Sequence, residues 1–199
     1  MTYAIIGFGK IGQALARAFA RKGIDVSIAA TRDPDSFAAE AAAIGPMVAA
    51  VTLEDALKAD TIFLAVRFEA HPDVAKTLPN WTGKTVIDAM NLFPVPAALG
   101  DTPSSRLVAR AFVGARLVKG FNHLGAGTLA TDPVVEGGHR VVFLSSDDRE
   151  AIAPVATLAR QLGFAPIDLG PLDQGGALVH AHGDAWGPLI FKDLFKKEP

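Results

Sequence analysis

Thr2-Tyr-Ala-Ile-Ile-Gly-Phe-Gly-Lys-Ile-Gly-Gln13 begins with a short apolar run that leads straight into Gly7-Phe8-Gly9-Lys10-Ile11-Gly12. A strand that enters G-x-G-x-x-G and leaves it as a helix is the dinucleotide-binding fingerprint in its required context. Gly7 permits the tight turn, Gly9 lets the backbone approach a pyrophosphate, and Gly12 lets the new helix pack on the strand. The pyrophosphate then rests on the unpaired N–H groups at the helix start. Phe8, Lys10 and Ile11 sit in the same turn and are candidate cofactor contacts.

Working outward, Ile11, Leu15 and Phe19 repeat with a helical period as far as Lys22, and Gly23 supplies the stop. Ile24 to Ala30 reads as a second strand. Asp33-Pro34 is a cap with a first-turn proline for an alanine-rich helix ending near Gly45. Met47 to Val51 is a third strand, and Thr52 with Asp55 resembles a capping box. Thr61 to Val66 is apolar throughout, as a strand buried on both faces requires. Thr85 to Asn91, Leu117 to Asn122, Arg140 to Leu144 and Phe164 to Leu169 continue the theme, with helices expected over Ser105 to Gly114 and Asp147 to Leu162. This alternation predicts an α/β, Rossmann-like, doubly wound and mostly parallel sheet with right-handed crossovers throughout. The expected organisation is a nucleotide-binding domain over residues 1–169 and a C-terminal cap over 170–199 packed on it, including an amphipathic stretch from Trp186 to Phe195.

Half of the 199 residues are hydrophobic, so a full core is available. The 19 basic and 21 acidic residues nearly cancel, and no basic patch with interleaved aromatics occurs. Nucleic acid and anionic membrane are therefore not expected partners, and a small molecule is. Cysteine is absent, which removes disulfides, thiolate metal sites and cysteine nucleophiles together. With a strand beginning at Thr2 and no apolar run near membrane-spanning length, a cytoplasmic location is expected.

At the end of the second strand, where NAD-binding units usually carry an acid for the ribose, stand Thr31 and Arg32. A guanidinium pairs with a 2′-phosphate, which favours NADP. The competing reading makes Asp33 the ribose ligand, but Asp33 before Pro34 already has a role as a cap.

In an open parallel sheet, ligands cross the carboxyl ends of the strands. The candidate segments are Val66-Arg67-Phe68, Met90-Asn91-Leu92 and Asn122-His123-Leu124, with Ala65 just before the first a further candidate cofactor contact. Asn91 and Asn122 suit hydrogen bonds to the nicotinamide half, or serve as turn formers. His123 is a candidate proton donor, with a structural histidine as the alternative. Arg67 either neutralises an anionic acceptor or points to solvent. His180 and His182 have no third ligand at sensible spacing, so no metal is expected. The long loops Leu92 to Ser104 and Gly125 to Gly138 both follow strands and suggest a substrate cleft.

The fingerprint at Gly7, Ala30-Thr31-Arg32, Asp88-Ala-Met-Asn91, Val118-Lys-Gly-Phe-Asn122 and Asp168-Leu-Gly-Pro-Leu172 together resemble the NADP oxidoreductases that depend on the deazaflavin coenzyme F420. The chain is also similar to the cytosolic reductase domain of STEAP-type metalloreductases. The resemblance implies hydride transfer between NADPH and F420 or a flavin. It implies that Gly7, Gly9, Gly12, Thr31 and Arg32 hold NADP, that Asn91 lies near the nicotinamide, and that Asn122 to Gly125 with Gly170 to Gly176 border the acceptor. A planar acceptor stacked on nicotinamide needs placement more than proton chemistry. This chain departs from the pattern at Ser36, where the family often has a base, at Arg67, where proline is common, and at Asn122-His123. Two other readings stand beside this one: an imine or carbonyl reductase, whose kind generally adds a large helical domain, and a non-catalytic NADPH sensor. An open cleft beside so short a cap also makes a homodimer an expectation.

Overall fold

The protein is described by a computed structural model over residues 1–93, 100 and 102–179. The expected loop from Leu92 to Ser104 lies largely outside these residues, and His180, His182 and the stretch from Trp186 to Phe195 lie wholly outside them. Among the described residues, eight strands form one sheet: β1 (Tyr3–Ile6), β2 (Val26–Ala29), β3 (Val48–Ala50), β4 (Thr61–Leu64), β5 (Thr85–Asp88), β6 (Arg116–Gly120), β9 (Val141–Ser145) and β10 (Ala165–Asp168). Two short strands, β7 (Val134–Val135) and β8 (Gly138–His139), pair separately. The sheet order is β10-β9-β6-β5-β4-β1-β2-β3. From β3 across to β6 every neighbour is parallel.

The sequence predicts right-handed parallel crossovers throughout, and the step from β6 to β9 departs from this because those strands run antiparallel. The reason lies in the connection. After β6 the chain forms only the five-residue helix α6 (Ala126–Ala130) and the β7–β8 hairpin. It begins β9 beside the end where β6 stopped, with the Val141 carbonyl against His123. The next strand can only run back. The hairpin also corrects the reading of Gly125 to Gly138 as one long loop. Its two central residues, Glu136 (φ 50°) and Gly137 (φ 80°), both take the left-handed conformation that a tight two-residue hairpin turn requires.

Helices cover both faces, and the alternation along each strand divides the core in two. Ile5, Ile28, Phe63, Ile87 and Val118 point to the side of α1 (Lys10–Arg21), α2 (Ala38–Ile44) and α7 (Arg149–Gln161). Ile6, Ile62, Leu64 and Val86 point to the side of α3 (Leu53–Ala56), α4 (His71–Ala75) and α5 (Ser104–Ala111). Ile62, Phe63 and Leu64 are fully buried, as a strand covered on both faces demands. A row of edge-to-face rings, Phe19–Phe63 at 5.7 Å, Phe63–Phe121 at 5.5 Å and Phe121–Phe164 at 5.8 Å, spans the first core from α1 to the start of β10. On the other side, Trp81 packs on Phe112 at 4.6 Å and donates its indole N–H to the Ala75 carbonyl.

The Thr52 cap read in the sequence forms locally, its Oγ1 accepting the Asp55 N–H at 3.1 Å. Asp33 caps as well, accepting the Asp35 N–H at 2.9 Å, but it caps a short 3-10 turn over Pro34–Ser36; the alanine-rich helix α2 begins only at Ala38, after Phe37, without a side-chain cap. Among the described residues no helix is long and apolar enough to cross a membrane.

Candidate functional site

The order of strand addition reverses between the parallel neighbours β1 and β4, since β1 leads through α1 to β2 on one side and β3 leads through α3 to β4 on the other. The loops that follow the two strands therefore diverge and leave a crevice at their carboxyl ends. The glycine turn lies in that crevice. Gly7 has φ 115°, and a Cβ there would stand 2.3 Å from the Ala65 carbonyl oxygen. A Cβ on Gly12 would stand 1.9 Å from the Gly7 carbonyl oxygen, so helix and turn meet only because Gly12 lacks a side chain. At Gly9 the space is open, with no atom within 4 Å of where a Cβ would lie. Gly9 is also the N-cap of α1 and has no side chain to cap it. The first amides of α1, from Lys10 and Ile11 onward, are thus available to an anion.

A groove of about 590 Å³ runs from Gly7, Phe8 and Gly9 past Thr31 and Arg32 to Val66 and Arg67. It meets a second, of about 410 Å³, at Ala65 and Val66, which line both; Ile11, Met90, Asn91, Asn122 and His123 enclose the second. A larger cavity, about 880 Å³, lies elsewhere, along Thr2, Lys22, Ser27 and Gln161 at the amino ends of the strands. It lacks the glycine turn and any helix start, so size does not make it the site.

Arg32 is set on an aromatic shelf. Its guanidinium carbon stands 5.4 Å from the Phe37 ring centroid and 6.0 Å from that of Phe8, and the two rings are 4.9 Å apart. Its Nη1 lies 3.4 Å from Glu40 Oε1, and both side chains are about half exposed. Thr31 beside it is exposed, while the Asp33 carboxylate is occupied in capping. Arg67 extends into solvent, with a long 3.8 Å contact to Glu69.

At the other end, Asn91 Nδ2 donates to the Asn122 carbonyl at 2.8 Å, and Asn122 Nδ2 donates to Asn91 Oδ1 and to the Val179 carbonyl, each at 3.0 Å. Asn122 Oδ1 is buried with no hydrogen-bond partner among the described residues. Phe121, just before it, takes φ 61°, a left-handed conformation costly for a bulky residue and held in place by the ring row. His123 is buried against Phe143, with Nε2 3.1 Å from the Val141 carbonyl, which must be accepting from it. Burial pushes the imidazole down to about 4, so it is neutral at pH 7. A neutral ring that donates through Nε2 has a bare Nδ1, an acceptor. In this arrangement His123 is not placed as a proton donor.

Beneath the second groove lies a pair that the sequence reading did not connect. Asp88 and Lys119 are register partners on β5 and β6, both buried, with Nζ 3.1 Å from Oδ2. Lys119 also donates to the Met90 carbonyl, and Asp88 Oδ1 accepts the Met90 N–H at 3.0 Å. Burial draws the Lys119 amine down even though Asp88 pulls the other way. The signal was present: opposite charges in two otherwise apolar strands that lie side by side. Together the two groups fix the turn that presents Asn91.

The family described as NADP oxidoreductase, coenzyme F420-dependent, matches residues 2–92. A hypothetical protein from Sinorhizobium meliloti is similar over 92% of this chain and 91% of its own, at 42% identity and a TM-score of 0.85. A protein from Arthrobacter sp. FB24 assigned as an F420-dependent NADP-reductase is similar over 96% of this chain and 92% of its own, at 27% identity and a TM-score of 0.72. Mouse metalloreductase STEAP2 is 35% identical over 176 residues, 86% of this chain and 34% of that protein. The chain thus spans about a third of the length of the curated relatives it matches. The family match thus runs from β1 through β5, and the likeness to the Arthrobacter protein extends through β10, so this chain is similar over its described length to the NADP oxidoreductases dependent on coenzyme F420.

Proposed function

We propose that this chain binds NADP(H) across the two grooves and passes hydride between it and a flat acceptor of the deazaflavin or flavin class. One observation carries the reading: an open glycine turn at an uncapped helix start shares a single crevice with an arginine held on an aromatic shelf, which suits a diphosphate with a further phosphoryl group at its adenosine end. The residues fit the cofactor. Gly7, Gly9 and the first amides of α1 would hold the diphosphate, Thr31 and Arg32 the 2′-phosphate, and Asn91 and Asn122 the nicotinamide half. Bound there, the cofactor supplies the hydride. Ile11, Leu124 and Gly125 bound the space in which an acceptor would lie on it.

The character of the second groove among the described residues supports this acceptor class. Among the residues that line it, His123 is the group with proton chemistry, and it is neutral and turned to the Val141 carbonyl. Reduction of a carbonyl or imine needs a proton delivered with the hydride, whereas a deazaflavin or flavin ring needs close stacking and little else.

The test is a panel of acceptors presented to the purified chain with NADPH: F420, FMN, FAD, a cyclic imine and a ketone, followed by loss of NADPH absorbance. The expected result is turnover with the deazaflavin or a flavin. Turnover with only the imine or ketone would replace the acceptor class, tight NADPH binding without turnover would favour a sensor, and absence of binding would overturn the reading at its base.

A further inference from the structure

Arg32 is shared between two anions, and the structure shows the one supplied by the protein. Glu40 lies in the first turn of α2 and places Oε1 3.4 Å from Arg32 Nη1, in the same guanidinium that rests on Phe37 and Phe8. Phe37 is 1% exposed and Phe8 8%, so the shelf is part of the core and holds the arginine in one place. Glu40 has no such anchor, because its carboxylate is more than half exposed.

From this we infer that Glu40 is a specificity-determining residue that weakens recognition of the 2′-phosphate by occupying Arg32 when the adenosine end is empty. The inference rests on the NADP reading and deepens it. A phosphate approaching Arg32 must displace the Glu40 carboxylate and then remain near it, since α2 stays packed on α1 and β3. Each effect opposes binding of the 2′-phosphate, and neither touches NADH, which has a hydroxyl there. Because the pair is exposed, screening keeps the effect to a few-fold. Such a counterweight favours release of the cofactor, which suits a protein that exchanges NADP(H) as a substrate.

The experiment measures dissociation constants for NADPH, NADH and 2′,5′-ADP with the unmutated chain, Glu40→Gln, Arg32→Ala and the double variant, at low salt and at about 0.5 M salt. The exposed Glu40→Gln change leaves the core untouched, and its thermal midpoint verifies folding. The inference expects Glu40→Gln to tighten NADPH and 2′,5′-ADP by about three- to fivefold and NADH by less than about twofold, with the gain shrinking at high salt and vanishing in the Arg32→Ala background. Unchanged or weaker NADPH binding by Glu40→Gln, or an equal gain for NADH, would overturn the role of Glu40 while leaving the nucleotide site intact. If the unmutated chain bound neither nucleotide, the NADP reading itself would fail and this inference with it.

Discussion

At the scale of single residues, His123 shows how burial decides chemistry. Its position at a strand end, next to an asparagine, marks it in the sequence as a candidate acid, and only the fold reveals that it is 2% exposed and packed on Phe143. A ring held down to about 4, against an unfolded value near 6.5, stays neutral in the folded chain while the unfolded chain takes up a proton. The folded value is depressed, so the associated stability is fully present above about pH 6.5 and is lost as pH falls toward 4. The loss amounts to about 3 kcal/mol across that window. Urea unfolding at pH 7.5 and pH 4.5 should show it. In a His123→Gln chain, which keeps a donor for the Val141 carbonyl without a titrating ring, the fall over the same interval should be smaller by about that amount. An equal fall in both chains would mean that carboxylates alone set the acid limb. The same neutrality predicts that any hydride-transfer rate is flat between pH 6 and 8, a range in which a histidine acid would impose an inflection.

At the scale of strands and helices, legibility followed locality. The glycine turn, the Asp33 and Thr52 caps and the doubly buried β4 are each written within a few consecutive residues, and period, cap and turn chemistry suffice to read them. The direction of β9 was not legible in this way, because it depends on where a connection ends in space. Nor was the link between β5 and β6, whose members are 31 residues apart. Asp88 and Lys119 each break an apolar strand, and neither makes sense without the other. Removing one member of a buried pair leaves the other charge without compensation, at a cost of about 3–5 kcal/mol, whereas removing both is far milder. Lys119→Met should therefore lower the unfolding free energy by about that much, and Asp88→Asn combined with Lys119→Met should recover at least about half of it. Denaturant titration of Asp88→Asn, Lys119→Met and the double variant decides the matter. Additive losses would show that the two side chains are packed independently, and that the Met90–Asn91 turn is held by its backbone alone.

At the scale of the whole molecule, the chain returns to its own site. Beyond β10, Gly170 accepts the Ser146 N–H, Leu172 is buried in the core on the α4 and α5 side, and Val179 ends against Asn122 Nδ2. The segment is tied down at its start by Arg106 of α5. The guanidinium contacts Asp147 at the turn before α7 and stands 2.8 Å from Asp173, while Asp147 also accepts the Leu172 N–H. Arg106 hydrogen-bonds the Asp173 carboxylate and holds it below its ordinary value, so the Arg106–Asp173 pair stays charged through the usual carboxylate range. Asn122 is thereby joined to a partly exposed ion cluster by the short run from Asp173 to Val179, in which Gly175, Gly176 and Val179 are buried. Segments anchored by exposed pairs open before the central sheet, so this one is expected to open when the Arg106 anchor is removed. Arg106→Met should accelerate hydrogen exchange over Gly170 to Val179 by about tenfold or more while the amides of β1 and β4 keep their protection. This segment joins the clasp to Asn122, so if Arg106→Met also shifts the acceptor KM, the shift should accompany the exchange and not a change in NADPH affinity. Unchanged exchange over the segment would mean that the buried Leu172 and Val179 hold it unaided and that Arg106 is a surface pair of no consequence.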